Sequence, residues 1–117
     1  MTDKELGIYG EMLAKKHLEK EGYQILKTNY RYLKLEIDII AKKDNKIIVT
    51  EVKTRQTAEI GEPWMAVTRK KQKQIITCAD AYLKNNHIEL DVQFDIVSIV
   101  HNQYRTKLEH IPNAFSA

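Results

Sequence analysis

The chain of 117 residues is 43% hydrophobic and 30% charged, which suits one hydrophobic core, so we expect residues 1–117 to form a single domain. Its one cysteine, Cys78, excludes an internal disulfide, and the charged N-terminus and lack of a long apolar run predict a cytoplasmic protein with no membrane partner. The net charge of +3 permits binding to an anionic polymer but does not require it.

The first half of the chain predicts one helix followed by three strands. Strong helix formers with helical periodicity extend from about Lys4 to Glu21 and stop before Gly22, a favourable residue at a helix C-terminus. Three segments rich in β-branched residues follow, and they read "YQILKTNYR", "LEIDIIAK" and "KIIVTEVK". Three consecutive strands of this kind predict an antiparallel meander.

The second half predicts a further helix and then more strand. Thr68 is a candidate N-cap, and the helix that follows carries an apolar stripe at Ile75, Ile76, Ala79, Tyr82 and Leu83. "VQFDIVSIV" predicts a fourth strand, and "LEHIP" a short fifth. The order helix, three strands, helix, strand predicts an α/β sandwich in which helices cover a mixed sheet.

Charged residues interrupt the second and third predicted strands. The polar "KDNK" between them is a turn signal, and a hairpin centred on it pairs residues whose numbers sum to 89. The predicted pairs are Asp38 with Glu51, Glu36 with Lys53, and Ile40 with Val49. All six side chains share one face if both strands are regular. Two opposed carboxylates about 5 Å apart repel each other unless a cation lies between them, and a divalent metal meets that need.

The alternative is that these charges form a solvated strand face, with Glu36 and Lys53 as a simple cross-strand ion pair. The apolar residues Ile40, Ile47 and Val49 continue the same face, which argues against a solvated face. Charged and buried residues therefore share one predicted face.

The first helix contributes another carboxylate. Glu11 falls on one face with three small or apolar residues, Gly7, Ala14 and Leu18. Glu11 is therefore a candidate to point inward toward the sheet. The alternative, a boundary glutamate paired with Lys15, stays open.

These residues carry a family resemblance over nearly the whole chain, in the segments "GEMLAKKHLEKEGYQILKTNYR", "EIDIIA", "VTEVKTR", "GEPWMAVTRKKQKQI" and "FDIV". The set resembles the YraN-like family of uncharacterised proteins, whose members look like small nucleases of the PD-(D/E)xK superfamily and like archaeal Holliday junction resolvases. The resemblance implies a restriction-endonuclease-like fold, a three-layer α/β sandwich with a mixed central sheet and the core order αβββαβ. The resemblance also implies a site. The superfamily's metal-binding aspartate matches Asp38, its second acidic residue matches Glu51, and its lysine matches Lys53. An acidic residue that the superfamily often supplies from its first helix matches Glu11.

Such a site would hydrolyse phosphodiester bonds with the help of a divalent metal. Mg²⁺ bound by oxygen ligands activates a water and neutralises the phosphoryl oxygens, and Mn²⁺ can replace it. The expected ligands of the ion or its waters are Asp38, Glu51, the backbone carbonyl of Val52, and Glu11. Lys53 is expected to orient the water or stabilise developing negative charge, and Glu36 to support the site.

Basic and polar side chains near this site predict contacts with a nucleic acid, with DNA as the expected substrate. The candidates are Arg55, Arg69, Lys70, Lys71, Gln72 and Lys73. Lys71 and Gln72 also match a polar pair that the resembled family places at the start of its second helix. Contacts to phosphates give weak sequence specificity and strong salt dependence. The alternative is a solvated helix face, and Trp64 either stacks on a base or packs under its loop.

Three functions follow from these observations. The first is a metal-dependent nuclease that acts on DNA, branched or otherwise structured DNA included. The second is a nucleic-acid-binding module without catalysis, serving DNA repair, recombination or uptake. The third is a structural protein whose buried charges fix the hairpin register. Resolution of a DNA junction needs two active sites and hence a homodimer, and the sequence leaves monomer and homodimer open.

Overall fold

A computed structural model of the chain describes residues 1–117. It contains two α-helices, one short 3-10 helix and five strands. In chain order these are α1 (Asp3–Lys20), β1 (Gln24–Tyr32), β2 (Leu35–Lys43), β3 (Lys46–Arg55), the 3-10 helix (Pro63–Ala66), α2 (Arg69–Asn85), β4 (Asp91–His101) and β5 (Thr106–Phe115). Neither α-helix is long and apolar enough to cross a membrane.

Local sequence fixes both ends of α1 and the start of α2. At the start of α1, the Thr2 hydroxyl accepts from the Glu5 N–H, and the Glu5 carboxylate accepts from the Thr2 N–H, which forms a capping box. Beyond its end, Gly22 adopts a φ of 89°, which a residue without a Cβ tolerates best. α2 begins at the predicted cap, where the Thr68 hydroxyl accepts from the Lys71 N–H.

The five strands form one mixed sheet in the order β1-β2-β3-β4-β5. β3 and β4 are parallel, with α2 in the connection between them, and the other pairs are antiparallel. This confirms the predicted α/β sandwich, its mixed sheet and its αβββαβ order. β5 is longer than the predicted "LEHIP", because pairing with β4 extends it through the exposed Thr106 and Lys107 at one end and as far as the buried Phe115, the partner of Phe94, at the other.

The sheet buries one hydrophobic cluster on each face. The larger cluster joins α2 to one face through residues that include Ile75, Ala79, Ile37, Ile40 and Val49. The smaller cluster joins α1 to the other face through Ala14, Leu18, Ile39, Val52, Val97 and Ile99. We refer to these two sides as the α2 face and the α1 face.

The β2–β3 hairpin has the predicted register. Residues 39–43 pair with residues 46–50 at positions that sum to 89, which includes the predicted pair of Ile40 with Val49. The two turn residues, Asp44 and Asn45, have φ values of 50° and 62°, as a two-residue hairpin turn of type I′ requires.

The regular pairing of β2 with β3 stops at Ile39 and Thr50, short of the charged residues. The side-chain alternation of β2 also breaks there. Ile37 packs in the α2-face cluster and Ile39 in the α1-face cluster, although residues i and i+2 of a regular strand share a face. Opposite this point on β1, between the partners of Ile37 and Ile39, Asn29 has a left-handed φ of 50°.

Two predictions about the charged residues are therefore wrong. The pairs of Asp38 with Glu51 and of Glu36 with Lys53 do not continue the β2–β3 ladder. Nor do all six side chains share one face, because Glu36 precedes Ile37 of the α2 face and bonds to Asn29, which also bonds to a residue of α1. The prediction assumed a regular strand, and the break at Asp38 removes that assumption.

Candidate active site

Asp38 lies where the β2–β3 ladder has ended. Its Oδ2 accepts a hydrogen bond of 2.7 Å from the backbone N–H of Val52, so a side chain ties the two strands together where their backbones no longer pair. The break in alternation therefore has a consequence for chemistry, because it turns an acidic side chain toward the neighbouring strand.

Glu51 meets Asp38 from β3. It is buried, with only 4% of its surface exposed, and the ammonium of Lys71 on α2 lies 3.7 Å from its Oε2. Burial, a hydrogen bond with the Glu51 carboxyl and the charge of that carboxyl raise the pKa of Asp38 from 3.8 to about 8, while the Val52 N–H and Lys71 oppose the rise. Asp38 therefore resists ionisation more strongly than an ordinary carboxyl, unless a cation compensates its charge.

Close packing of α1 brings a third carboxylate near this pair. A Cβ added to Gly10 would lie 1.8 Å from Oγ1 of Thr54 on β3, so only glycine permits this approach. The next residue of α1 is Glu11, which is half-buried beside the sheet. Burial raises the pKa of Glu11, with further contributions from the charges of Asp38 and Glu36.

Asn29 fixes the position of Glu11. Its side-chain Nδ2 donates to Glu11 Oε1 over 2.7 Å and to Glu36 Oε1 over 3.2 Å, so one amide bridges two carboxylates. Arg31 completes this network with an ion pair to Glu36 Oε2 of 3.2 Å. Glu11 thus bonds to Asn29 and not to Lys15, and Glu36 supports Glu11 through the shared amide.

The model of the uncharacterised protein family UPF0102 matches residues 10–99, which include all the acidic residues of the site. This chain belongs to the UPF0102 family. The family is the YraN-like family that the sequence resembles, so the resemblance is confirmed at the level of the family.

Relatives match over almost their whole length. A UPF0102 protein of Christiangramia forsetii is 45% identical over 111 residues, which covers 95% of this chain and 93% of the relative. One of Prosthecochloris aestuarii is 46% identical over 120 residues, 97% of this chain and 94% of the relative. One of Chlorobium phaeobacteroides is 43% identical over 119 residues, which covers 96% of this chain and 94% of the relative. The family description and these names assign no reaction and no ligand.

Of the residues predicted to hold a metal, Asp38 and Glu51 are in contact in the structure of this chain. Val52 contacts Asp38 through its N–H. Glu11 bonds to Asn29, and no group of three or more His, Cys, Asp or Glu side chains is close enough to form a metal cluster. Lys53 follows Glu51 by two residues, is half-buried, and forms no ion pair.

The predicted nucleic-acid contacts fall into two groups. Three have partners within the chain: Lys71 pairs with Glu51, Gln72 Nε2 donates to the Val67 carbonyl, and Arg69 donates to Gln72 and to the Ser116 carbonyl. The other three, Arg55, Lys70 and Lys73, are exposed and form no ion pair. Lys71 therefore belongs to the acidic site. Lys70 and Lys73 line one groove of the surface, and Arg55 lies apart from them, beside Asp3 and Leu6 of α1.

The sequence reasoning missed Asn29. Its signal was the residue type, because asparagine tolerates the left-handed φ better than other residues with a side chain. The residue lies in a segment that otherwise reads as regular strand, and its contact with Glu11 spans 18 positions. Gly10 was missed as well, because sequence does not reveal how closely a helix approaches a sheet.

Asp95, the acidic residue of the segment "FDIV", anchors β5. It is fully buried and accepts from Gln93 Nε2 and the Asn113 N–H at 3.0 and 2.9 Å. His110 Nε2 lies 2.7 Å from its other oxygen. These contacts span the irregular pairing of β4 with β5 between Phe94 and Ile96, so Asp95 has a structural role.

Proposed function

We propose that this UPF0102 protein is a metal-dependent nuclease that hydrolyses phosphodiester bonds in DNA, branched or otherwise structured DNA included. The observation that carries the proposal is the contact of two carboxyl groups, Asp38 and Glu51, at a break between two strands. A pKa raised to about 8 at Asp38 marks a group whose environment opposes its ionised form, a feature common at functional sites.

The residues present fit a hard divalent cation such as Mg²⁺, with Mn²⁺ as a substitute. Oxygen atoms are the ligands that these ions prefer, and a cation would relieve the repulsion between the carboxylates of Asp38 and Glu51. These two side chains and the Val52 carbonyl would hold the ion, with Glu11 beside them. When bound, the ion lowers the pKa of a water and neutralises charge on the phosphoryl oxygens.

The chain's own residues would orient the reactants. In hydrolysis a water oxygen bonds to phosphorus, the bond from phosphorus to the leaving sugar oxygen breaks, and the proton lost by the water ends on that oxygen or in solvent. Glu11 is held by Asn29 through Oε1, which leaves Oε2 free to accept a hydrogen bond from the water. The ammonium of Lys53 would stabilise negative charge on the phosphoryl group.

The second candidate is a DNA-binding module without catalysis, acting in repair, recombination or uptake. The contact that favours it is the ion pair of Lys71 with Glu51, because a lysine ammonium already compensates one charge of the pair. The hydrogen bond between Glu11 and Asn29 also satisfies a carboxylate that a nuclease would direct to its metal or water.

A cleavage assay separates these functions. End-labelled four-way junction, linear duplex and single-stranded DNA are incubated with the purified protein and Mg²⁺, and binding is measured separately without metal. The test variants are Asp38→Asn and Glu51→Gln, which remove charge with little change in size. Glu19→Gln, on the exposed surface of α1, is the matched control.

The nuclease proposal expects Mg²⁺-dependent cleavage by wild type and Glu19→Gln, with a loss of about 100-fold or more in both test variants. Binding without cleavage in wild type would support the second candidate. If no DNA is bound or cut, both proposals are overturned and the acidic pair has only a structural role.

A further inference from the structure

A cleft of about 380 Å³ lies beside the proposed active site. Its walls come from the 3-10 helix, the start of α2 and the α2 face of β4 and β5. Trp64 and Met65 contribute from the 3-10 helix, and Ile96 and Ile111 from the sheet. Trp64 is 37% exposed and is the only tryptophan of the chain, so a large aromatic side chain borders an open apolar space.

The cleft adjoins the acidic pair. Ile96 is the partner of Glu51 in the parallel pairing of β3 with β4, and adjacent strands lie about 4.8 Å apart. On α2, Gln72 of the cleft follows Lys71, whose ammonium contacts Glu51. A group seated in the cleft therefore lies one strand away from the proposed cleavage site.

Backbone anchoring holds the aromatic wall in place. The Trp64 N–H donates to the Ser98 hydroxyl over 3.0 Å, and Ser98 is the β4 partner of Lys53. Pro63 is buried next to it. The 3-10 helix thus packs on the sheet beside the site.

The lining of the cleft matches the chemistry of a nucleobase. A base is a flat apolar ring system with hydrogen-bonding groups at its edge, and unpaired bases stack on aromatic side chains. Trp64 offers an aromatic surface, Ile96 and Ile111 an apolar floor, and Gln72 and Glu109 polar groups. A cleft of this size exceeds the volume of one base and accommodates it with part of its sugar.

The lining of the cleft carries one charge, the carboxylate of Glu109, and the nearest cations lie in an adjoining groove. Arg69 donates to Gln72 of the cleft wall over 3.2 Å and shares that groove with Lys70 and Lys73. Arg69 and Lys70 are exposed at the first turn of α2, and Lys73 is exposed one turn further on. Phosphates that flank an unpaired base could contact these side chains while the base enters the cleft.

We propose that this cleft binds an unpaired nucleobase of the DNA strand, stacked against Trp64, next to the acidic pair. The proposal rests on the proposed function, because it names the feature of DNA that the same site would recognise. Structured DNA, in which junctions and bulges expose bases, would then be preferred to regular duplex.

The test uses wild-type protein in EDTA and three duplexes of one sequence: fully paired, with one extrahelical adenine, and with an abasic residue at that extrahelical position. Fluorescence anisotropy of labelled DNA gives the affinity. The intrinsic fluorescence of Trp64, measured with unlabelled DNA, reports stacking directly because no other tryptophan contributes.

The proposal expects the bulged adenine to bind roughly 5- to 150-fold more tightly than the abasic bulge, the range that base–aromatic stacking gives, with quenching of Trp64 only for the adenine. Trp64→Leu should bring the two bulges to equal affinity, while Trp64→Phe should restore part of the preference. Tyr104→Ala, which removes an aromatic side chain that is 84% exposed and lies outside the cleft, is the control and should behave as wild type.

Equal binding and equal quenching by the adenine and abasic bulges in wild type would overturn the cleft proposal and leave the proposed nuclease untouched. Absence of binding to all three duplexes in EDTA would also overturn the cleft proposal, whereas the proposed nuclease is judged by the Mg²⁺-dependent cleavage assay. Because the decisive comparison uses wild-type protein, it does not depend on the folding of any variant.

Discussion

Asp38 accepts a hydrogen bond of 2.7 Å from the backbone N–H of Val52, on the neighbouring strand, just beyond the last ladder pair of β2 and β3. A side chain therefore replaces backbone pairing at the point where two strands stop pairing. The result is a carboxyl group that is bonded to the neighbouring strand, partly buried and in contact with Glu51.

The first prediction concerns the pH dependence of stability in the metal-free protein. The folded-state pKa of Asp38, about 8, exceeds its ordinary value of 3.8, so between those values the folded chain holds a proton that the unfolded chain has lost. The free energy of unfolding should therefore fall as pH rises from about 4 to 8, by up to about 1.4 kcal/mol per pH unit from this group. This is the reverse of the usual carboxylate, whose pKa is lowered on folding.

Urea denaturation in EDTA at several pH values measures the free energy of unfolding of wild type and of the test variant Asp38→Asn. The variant cannot exchange the proton, so its unfolding free energy relative to that of wild type should rise with pH. A difference that stays constant from pH 5 to pH 8 would contradict the raised pKa. Asp91→Asn, at an exposed position of β4, serves as control.

Gly10 gives the second prediction. Its replacement by alanine places a Cβ 1.8 Å from Thr54 Oγ1, which α1 relieves only by moving away from the sheet. We expect a loss of about 1–3 kcal/mol in the free energy of unfolding. Gly7→Ala, on the same helix, is the control, because no atom lies within 4 Å of the Cβ that it adds. It should stabilise the protein by up to about 1 kcal/mol through helix propensity.

Urea denaturation followed by circular dichroism measures both variants. Adding Thr54→Ala to Gly10→Ala should recover part of the loss, since Thr54 Oγ1 has no hydrogen-bond partner to lose. Equal stabilisation by alanine at both glycines would show that α1 does not need this close approach.

The third prediction separates the two roles of Asn29. Asn29→Gly keeps the left-handed backbone and removes the amide, whereas Asn29→Ala also strains the backbone by about 1–2 kcal/mol. Both should raise the pKa of Glu11 further, because the hydrogen bond from Asn29 lowers it while burial and the charges of Asp38 and Glu36 remain. Carbon-13 NMR titration of the Glu11 carboxyl measures this. If the pKa of Glu11 is unchanged in Asn29→Gly, the Asn29 amide does not form this hydrogen bond with the Glu11 carboxylate.

The fourth prediction concerns the exposed basic residues. If Lys70 and Lys73 each contact a phosphate of duplex DNA, replacement of either by glutamine should reduce the slope of log affinity against log salt by about 0.9. Lys84 is paired with Asp80 at 2.8 Å, so Lys84→Gln is the control and should leave the slope unchanged. Anisotropy titrations over a range of salt concentrations give the slopes. The same slope for wild type and all three variants would show that duplex DNA does not contact Lys70 or Lys73.

Sequence predicted the parts of the fold that local rules govern. The turn at Asp44 and Asn45 and the sum of 89 follow from turn chemistry and strand alternation, and the structure has both. The cap at Thr68 and the apolar stripe that contains Ile75 and Ala79 follow from helix rules in the same way.

The irregular features that shape the site lay beyond those rules. Period-two alternation cannot indicate that Ile37 and Ile39 pack on opposite faces, because that needs a break at Asp38 matched by a left-handed residue on the adjacent strand. The contact of Asn29 with Glu11 depends on how α1 lies on the sheet, which only tertiary packing determines. The types of the acidic residues were predictable, and their arrangement was not.

The most direct test of the central claim is a calorimetric titration of Mg²⁺, and separately Mn²⁺, into wild type, Asp38→Asn, Glu51→Gln and the surface control Glu19→Gln. If the carboxyls of Asp38 and Glu51 form a metal centre, wild type and the control bind the ion, and each test variant loses at least about tenfold in affinity, the equivalent of 1.4 kcal/mol. Failure of wild type to bind either metal, or equal binding by all four proteins, would contradict the claim that this pair is a metal-dependent catalytic site.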